Sequence, residues 1–251
     1  MLDTAKFKRK EEIMKNGFAR AEHNTGKSLR KGFTLAEVLI TLVIIGVVGA
    51  LTVPALVQNT RKQEYVTALK KAYSTLSQAA NMIIAENGSP KCYDETGSSA
   101  GGWACSNEEI YNLFKKHLHN IKECDVSAEN GGCFGQRSYK RLDGVVIDYT
   151  ERWANPYYKA LVTADGMQMY FDFYGGADKC ANNSFTKNAC GFITVDINGE
   201  KQPNTLGRDY FEFAITENGL VPAGCGSAHC SGGAWGQLCG CKVLTEGAMN
   251  Y

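Results

Sequence analysis

The distribution of apolar positions changes character twice in the first ninety residues. Residues 1–31 are polar and basic, with no helical apolar repeat. From Val38 to Thr60 no residue is charged, and Val, Ile, Leu, Ala and Gly dominate. At about 1.5 Å per residue, this stretch forms a helix of roughly 34 Å, enough to cross the hydrocarbon core of a bilayer. Beyond Arg61 the apolar residues thin into a stripe, Val66, Leu69, Tyr73, Leu76, Ala80 and Ile83, stepping by three or four. Lys62, Gln63, Lys70, Lys71 and Gln78 occupy the other faces, and Asn87-Gly88 followed by Pro90 is a stop signal. The pattern predicts one long helix, half in membrane and half (61–87) against a globular core. Within it, Pro54 removes the bond to the Ala50 carbonyl and predicts a kink or local melting, in a segment already weakened by Gly46 and Gly49. These small residues are equally consistent with close helix packing.

Further along, the periodicity shortens. Residues 89–108 read as a Gly-, Ser- and Cys-rich loop. Asn107–Glu123 predicts a short helix through Ile110, Leu113, Phe114, Leu118 and Ile121, with Asn107 as its cap. Residues 124–143 read as another loop, and Gly144–Thr150 as a strand. Lys159–Ala164 and Met167–Tyr174 flank Asp165-Gly166, a hairpin signal. Phe192–Asp196, Tyr210–Thr216 and Leu220–Val221 complete an antiparallel set. Gly224–Cys241 has little periodicity, so disulfides are expected to fix its shape. The fold class is therefore α+β: a long N-terminal helix packed on a small antiparallel sheet, with disulfide-rich loops. The expected organisation is a leader over 1–32, a membrane and assembly helix over 33–60, and an exported head over 61–251.

Charge and cysteine placement agree on topology. Residues 1–32 hold nine Lys or Arg against four acids, whereas the remainder is net acidic under a total of +1. A basic leader before an apolar helix stays in the cytoplasm, which sends the remainder outward. All ten cysteines, Cys92, Cys105, Cys124, Cys133, Cys180, Cys190, Cys225, Cys230, Cys239 and Cys241, follow the apolar helix. That placement points to disulfides in an oxidising compartment, with a connectivity that spacing alone does not choose.

An ordinary secretory signal has a shorter apolar core with its small-residue cleavage site after it. Here Gly32 comes first, in Lys31-Gly32-Phe33-Thr34-Leu35-Ala36-Glu37. This junction resembles the leader of type IV prepilins and type II secretion pseudopilins. The resemblance implies a cut by prepilin peptidase between Gly32 and Phe33, with methylation of the new Phe33 amine. It makes Glu37 the fifth mature residue and Pro54 the twenty-second, where the family has a glutamate and often a proline. A carboxylate at the membrane is costly unless paired. The Phe33 amine of a neighbouring subunit supplies one partner and sets axial register; capping its own helix is the other role open to Glu37. The resemblance further implies storage in the inner membrane with the N-terminus cytoplasmic, then packing with other pilin-like subunits into a fibre outside.

Candidate chemistry is sparse. Asp196, Asn198, Glu200 and Asp209 cluster oxygen ligands around Asn198-Gly199, which suits calcium, and some pseudopilins hold calcium in such a loop. The spacing is not that of an EF-hand, and a plain hairpin turn from Asn-Gly is the favoured reading. Cys225, Cys230, Cys239 and Cys241 with His229 form a weak zinc pattern, set against disulfides. His23, His117 and His119 offer no acid partner for a thiol nucleophile. Arg137, Lys140 and Arg141 are either a solvated loop or a contact for DNA. No P-loop, dinucleotide fingerprint or Ser/His/Asp pattern occurs. A non-enzymatic fibre subunit is thus the leading expectation. The alternatives are a minor tip pilin serving as adhesin or DNA-binding module and, less supported, a membrane-anchored exported enzyme.

Overall fold

An uncharged apolar run followed by an amphipathic one lets a single helix continue from lipid-like to aqueous surroundings, and α1 (Leu35–Asn87) does so. The computed structural model describes residues 32–88, 107–118, 121–124, 138–149, 158–173, 189–225, 230 and 236–251. Internal contacts divide the chain into Met1–Thr52 and Val53–Tyr251. In the first unit the helix exposes its apolar side chains; Ile45 is 67% and Leu51 75% exposed. The helix is long and apolar enough to cross a membrane. The local melting expected at Pro54 does not occur: Pro54 lies inside a helix assigned without interruption from Leu35 to Asn87. Proline forfeits one N–H donor, and the bonds on either side carry the helix past it.

In the second unit, α1 buries Val66, Leu69, Ala72, Leu76, Ala79, Ala80 and Ile83. Ala72, rather than Tyr73, holds the centre of the stripe. Tyr73 is half-buried at its flank, stacked on Phe213 with ring centroids 5.8 Å apart. The sheet has six antiparallel strands in the order β1 (Ile121–Cys124), β4 (Lys159–Thr163), β5 (Gln168–Phe173), β6 (Ala189–Asp196), β7 (Tyr210–Thr216) and β8 (Gly219–Pro222). Its inner face contributes Phe171, Phe173, Ile193, Val195, Phe211 and Phe213 to one core with the α1 stripe. The period-two alternation of strands makes this set contiguous.

The other face is covered as well. A hairpin of β2 (Ser138–Lys140) and β3 (Val146–Asp148) packs Tyr139 with Tyr170, Tyr210 and Leu206. Leu238, in a 3-10 helix at Gly236–Cys239, joins Ala189, Phe192, Ala214 and Ala223. Burial on both sides explains why β6 reads as a near-continuous apolar run.

Helix α2 (Asn107–His117) ends six residues before the expected Glu123. Ile121–Cys124 instead pairs with β4, Ile121 opposite Thr163, so edge pairing overrides the local helical pattern. Asn107 is the first helical residue, and its side chain reaches the sheet. Its Nδ2 donates to the Phe171 carbonyl (3.0 Å) and its Oδ1 accepts from the Phe173 N–H (3.1 Å). Residues 138–140, expected as loop, form β2 through a bridge to Thr205 as well as its pairing with β3.

The C-terminal segment ends in α3 (Gly240–Glu246), closed by Gly247 in the left-handed region. Nested disulfides Cys225–Cys241 and Cys230–Cys239 tie it, so the zinc reading of these four thiols falls: their sulfurs bond to one another. Cys124 and Cys190 are also disulfide-bonded. Cys92, Cys105, Cys133, Cys180, His119, Arg137 and His229 lie outside the described residues. Docking of this segment needs bare backbone at two glycines. A Cβ on Gly224 (φ +87°) would sit 2.0 Å from the Leu238 carbonyl oxygen, and one on Gly236 would sit 2.1 Å from that of Leu206.

Candidate functional sites at the processing junction and a buried aspartate pair

At the start of α1, Thr34 and Glu37 satisfy each other. The Thr34 N–H and hydroxyl both donate to Glu37 Oε2 at 2.8 Å, and the Glu37 N–H donates to Thr34 Oγ1 at 3.2 Å. This is a capping box, two orphan helix donors held reciprocally. Its signal, Thr34-x-x-Glu37, stands in the sequence, but the role of Thr34 was not drawn from it. In the single subunit, then, the Glu37 carboxylate has partners of its own. Phe33 is 88% exposed immediately before the cap, and Gly32 precedes it in open space.

The second site lies where β6 runs into the turn leading to β7. Asp196 closes β6 and Asp209 precedes β7; both are fully buried. Asp209 Oδ2 accepts from the Asn204 N–H (2.8 Å) and Asn198 Nδ2 (3.3 Å), and Oδ1 from the Thr205 N–H (2.6 Å). Asp196 Oδ1 accepts from the Asn198 N–H (3.2 Å), and Oδ2 from the Tyr139 hydroxyl (3.0 Å). Tyr139 comes from β2, so the strand that sequence patterning placed in a loop supplies a donor to the site. Asn204 adopts positive φ (48°), a conformation asparagine tolerates better than most residues.

Desolvation governs the charge state. Burial raises the Asp209 carboxyl to about 6 against the hydrogen bonds that oppose it. Burial, then the charge of Asp209, pushes Asp196 well above the ordinary carboxylate range. Burial also raises the Tyr139 hydroxyl, which therefore stays a donor. Two adjacent buried carboxylates call for a proton or a cation.

Three of the four oxygen-bearing residues expected to gather do so: Asp196, Asn198 and Asp209. Glu200 is exposed at the turn. Buried Asn198 Oδ1 has no hydrogen-bond partner, and neither does either polar atom of the Asn204 side chain, so the Asn198 amide that touches Asp209 also offers an oxygen suited to a hard cation. Among the described residues no three His, Cys, Asp or Glu side chains come together, which leaves amide and carbonyl oxygens to complete any shell. Arg141, from the basic group, is paired with Asp143. His117, expected to have no acid partner, lies 3.2 Å from Glu86, which also takes Lys116 at 2.6 Å; this cluster ties the ends of α1 and α2.

Residues 55–221, about two thirds of the chain, match the model of a family of unknown function, DUF6613. The chain belongs to this family. Residues 27–53 match the prokaryotic N-terminal methylation motif, which spans Gly32, Phe33 and Glu37 and stops one residue before Pro54. The motif marks a type IV pilin-like precursor that prepilin peptidase processes. No solved structure matches the chain.

Proposed function

We propose that this protein is a structural subunit of a type IV pilus or type II secretion fibre. Prepilin peptidase cuts between Gly32 and Phe33 and the Phe33 amine is methylated. The subunit waits in the cytoplasmic membrane with its N-terminus inside, then enters a fibre outside by helix packing. The observation that carries this reading is the Gly32-Phe33-x-x-x-Glu37 junction in front of a helix whose apolar side chains nothing in their own unit covers. Such a surface needs either lipid tails or like helices. On extraction from the membrane, Glu37 exchanges its bonds to Thr34 for the amine of a neighbour, and an unmatched register leaves that exchange incomplete. Pro54, which leaves the Ala50 carbonyl without its helical donor, marks where the helix yields most cheaply during extraction.

The buried aspartate loop serves this function as a stabiliser of the exported head. Calcium, taken up by Asp196, Asp209 and the amide oxygen of Asn198, replaces the proton that the pair otherwise retains. The unpartnered amide oxygen of Asn198 favours this over a plain turn.

Mass spectrometry of the mature protein tests the main reading. A chain beginning at Phe33 with one added methyl group is expected. An intact leader, or a cut beyond Thr60, overturns it.

A further inference from the structure

Beyond the junction and the aspartate loop, the head holds a pocket of about 450 Å³ whose wall includes Gln58, Arg61, Lys62, Tyr65, Arg208 and Tyr251. Three of these side chains are cations, and no Asp or Glu lines the pocket. Arg61 and Arg208 are exposed and have no ion-pair partner among the described residues. The tyrosine hydroxyls already have acceptors: Tyr65 donates to the carbonyl of Gln202, which also lines the pocket (3.5 Å), and Tyr251 to that of Gly207. The Tyr65 ring is therefore left as an apolar wall between cationic tips, and the Tyr251 ring carries Lys242 Nζ at 5.8 Å from its centroid. Lys62 lies near the Met249 carbonyl at 3.4 Å. The volume falls in the range of small-molecule sites.

Position within the chain narrows the ligand. Gln58, Arg61, Lys62 and Tyr65 are spaced three, one and three apart, so they share one face of α1. Arg61 is the first charge after the uncharged run Val38–Thr60. The pocket thus sits where the helix leaves hydrocarbon for water, the level of lipid phosphates. Arginine matches phosphate oxygens in a bidentate fork, and tyrosine suits the membrane–water interface.

We infer that this pocket binds the phosphate headgroup of an anionic phospholipid on the outer face of the membrane while the subunit is stored there. This inference rests on the proposed membrane storage. A lipid so held fixes the height and rotation of the head before assembly, and must be given up when the subunit leaves.

The test uses the full chain in detergent, given equal amounts of phosphatidylglycerol and phosphatidylcholine, with bound lipid counted by native mass spectrometry. The expected result is preferential retention of phosphatidylglycerol. Arg61→Ala with Arg208→Ala lowers its affinity about thirty-fold, each basic side chain near such a surface contributing a factor of about five. Lys122→Ala with Lys140→Ala, the same charge loss elsewhere, leaves retention unchanged. Both arginines are exposed, so their removal leaves the fold intact, which near-ultraviolet circular dichroism checks. Carbonate extraction of membranes separates the two layers of argument. A wild-type chain released by carbonate overturns membrane storage and this inference together. A chain that resists carbonate yet shows no lipid preference, or no effect of the arginine pair, overturns this inference alone. Displacement of the lipid by millimolar inorganic phosphate assigns the site to a free anion and overturns it as well. So does a dimer that the arginine pair abolishes while lipid retention stays equal, since the occupant is then an acidic surface of a second copy.

Discussion

Asp209 makes the stability of the head depend on pH in a direction opposite to that of most carboxylates. Its carboxyl titrates at about 6 when folded, against an ordinary value of 3.8. The folded state therefore binds this proton more tightly than the unfolded chain does, and stability falls as pH rises through the folded value. A separation of roughly two pH units corresponds to about 3 kcal/mol, of which about 2 kcal/mol is lost between pH 4.5 and 7.5. For a head of this size that is about 4–8 °C in Tm. The ion-paired carboxylates Asp165 and Glu86 shift downward and contribute in the opposite sense, losing stability as pH falls. An Asp209→Asn variant keeps them, removes the Asp209 titration, and takes from Asp196 the charged neighbour that helps to raise it. The assay is thermal unfolding followed by near-ultraviolet circular dichroism at pH 4.5, 6 and 7.5 with EGTA. Wild type minus variant should decline by about 2 kcal/mol across that range. Added calcium should restore most of the decline at pH 7.5 in the wild type and none in the variant. Parallel curves for the two proteins, or a difference that grows with pH, refute the desolvation argument. A decline that calcium leaves untouched refutes the cation and keeps the proton.

Other perturbations have equally definite outcomes. Asn107→Ala strips partners from two backbone groups in the core, and should cost about 2–4 kcal/mol in denaturant unfolding, the penalty for stranding buried polar groups. Leu76→Ala removes a fully buried side chain from the α1 stripe and should cost about 2–5 kcal/mol by the same measurement. Replacing Cys225 and Cys241 by serine opens a loop with a separation of 16 residues, and should cost about 3 kcal/mol, visible as a lower Tm without added reductant. Glu37→Val should leave the chain carbonate-resistant and processed, yet reduce its recovery in sheared fibre fractions; unchanged recovery counts against the register role.

The long helix and the central strands were legible because one physical period dominated each. Tyr210–Thr216 appears with the bounds that alternation gave it. Strand β8 has one more residue at each end than Leu220–Val221. What escaped was decided by distant partners. Ile121–Cys124 carries a helical pattern, and only the free edge of β4 makes it a strand. Ser138–Lys140 is too short to show any period, yet it brings Tyr139 to Asp196. Helix α3 is hidden behind Cys-rich composition and has few apolar positions to announce it. At the aspartate site the acids were legible as a group, but their burial was not, since it depends on the hairpin folding over them. Glu200 looked equivalent to Asp196 in sequence and differs in exposure alone.

The two outer strands of the sheet, β1 and β8, have four residues each. Exposed Lys122 and Glu123 occupy the first edge, and Pro222, which has no N–H to offer, ends the second. Short, charged or proline-ended edges resist the addition of a foreign strand. A subunit stored in a membrane and then polymerised, as proposed, would face a standing hazard of cross-β aggregation. The described sheet is closed to that route, so in the proposed fibre growth falls to the exposed apolar helix.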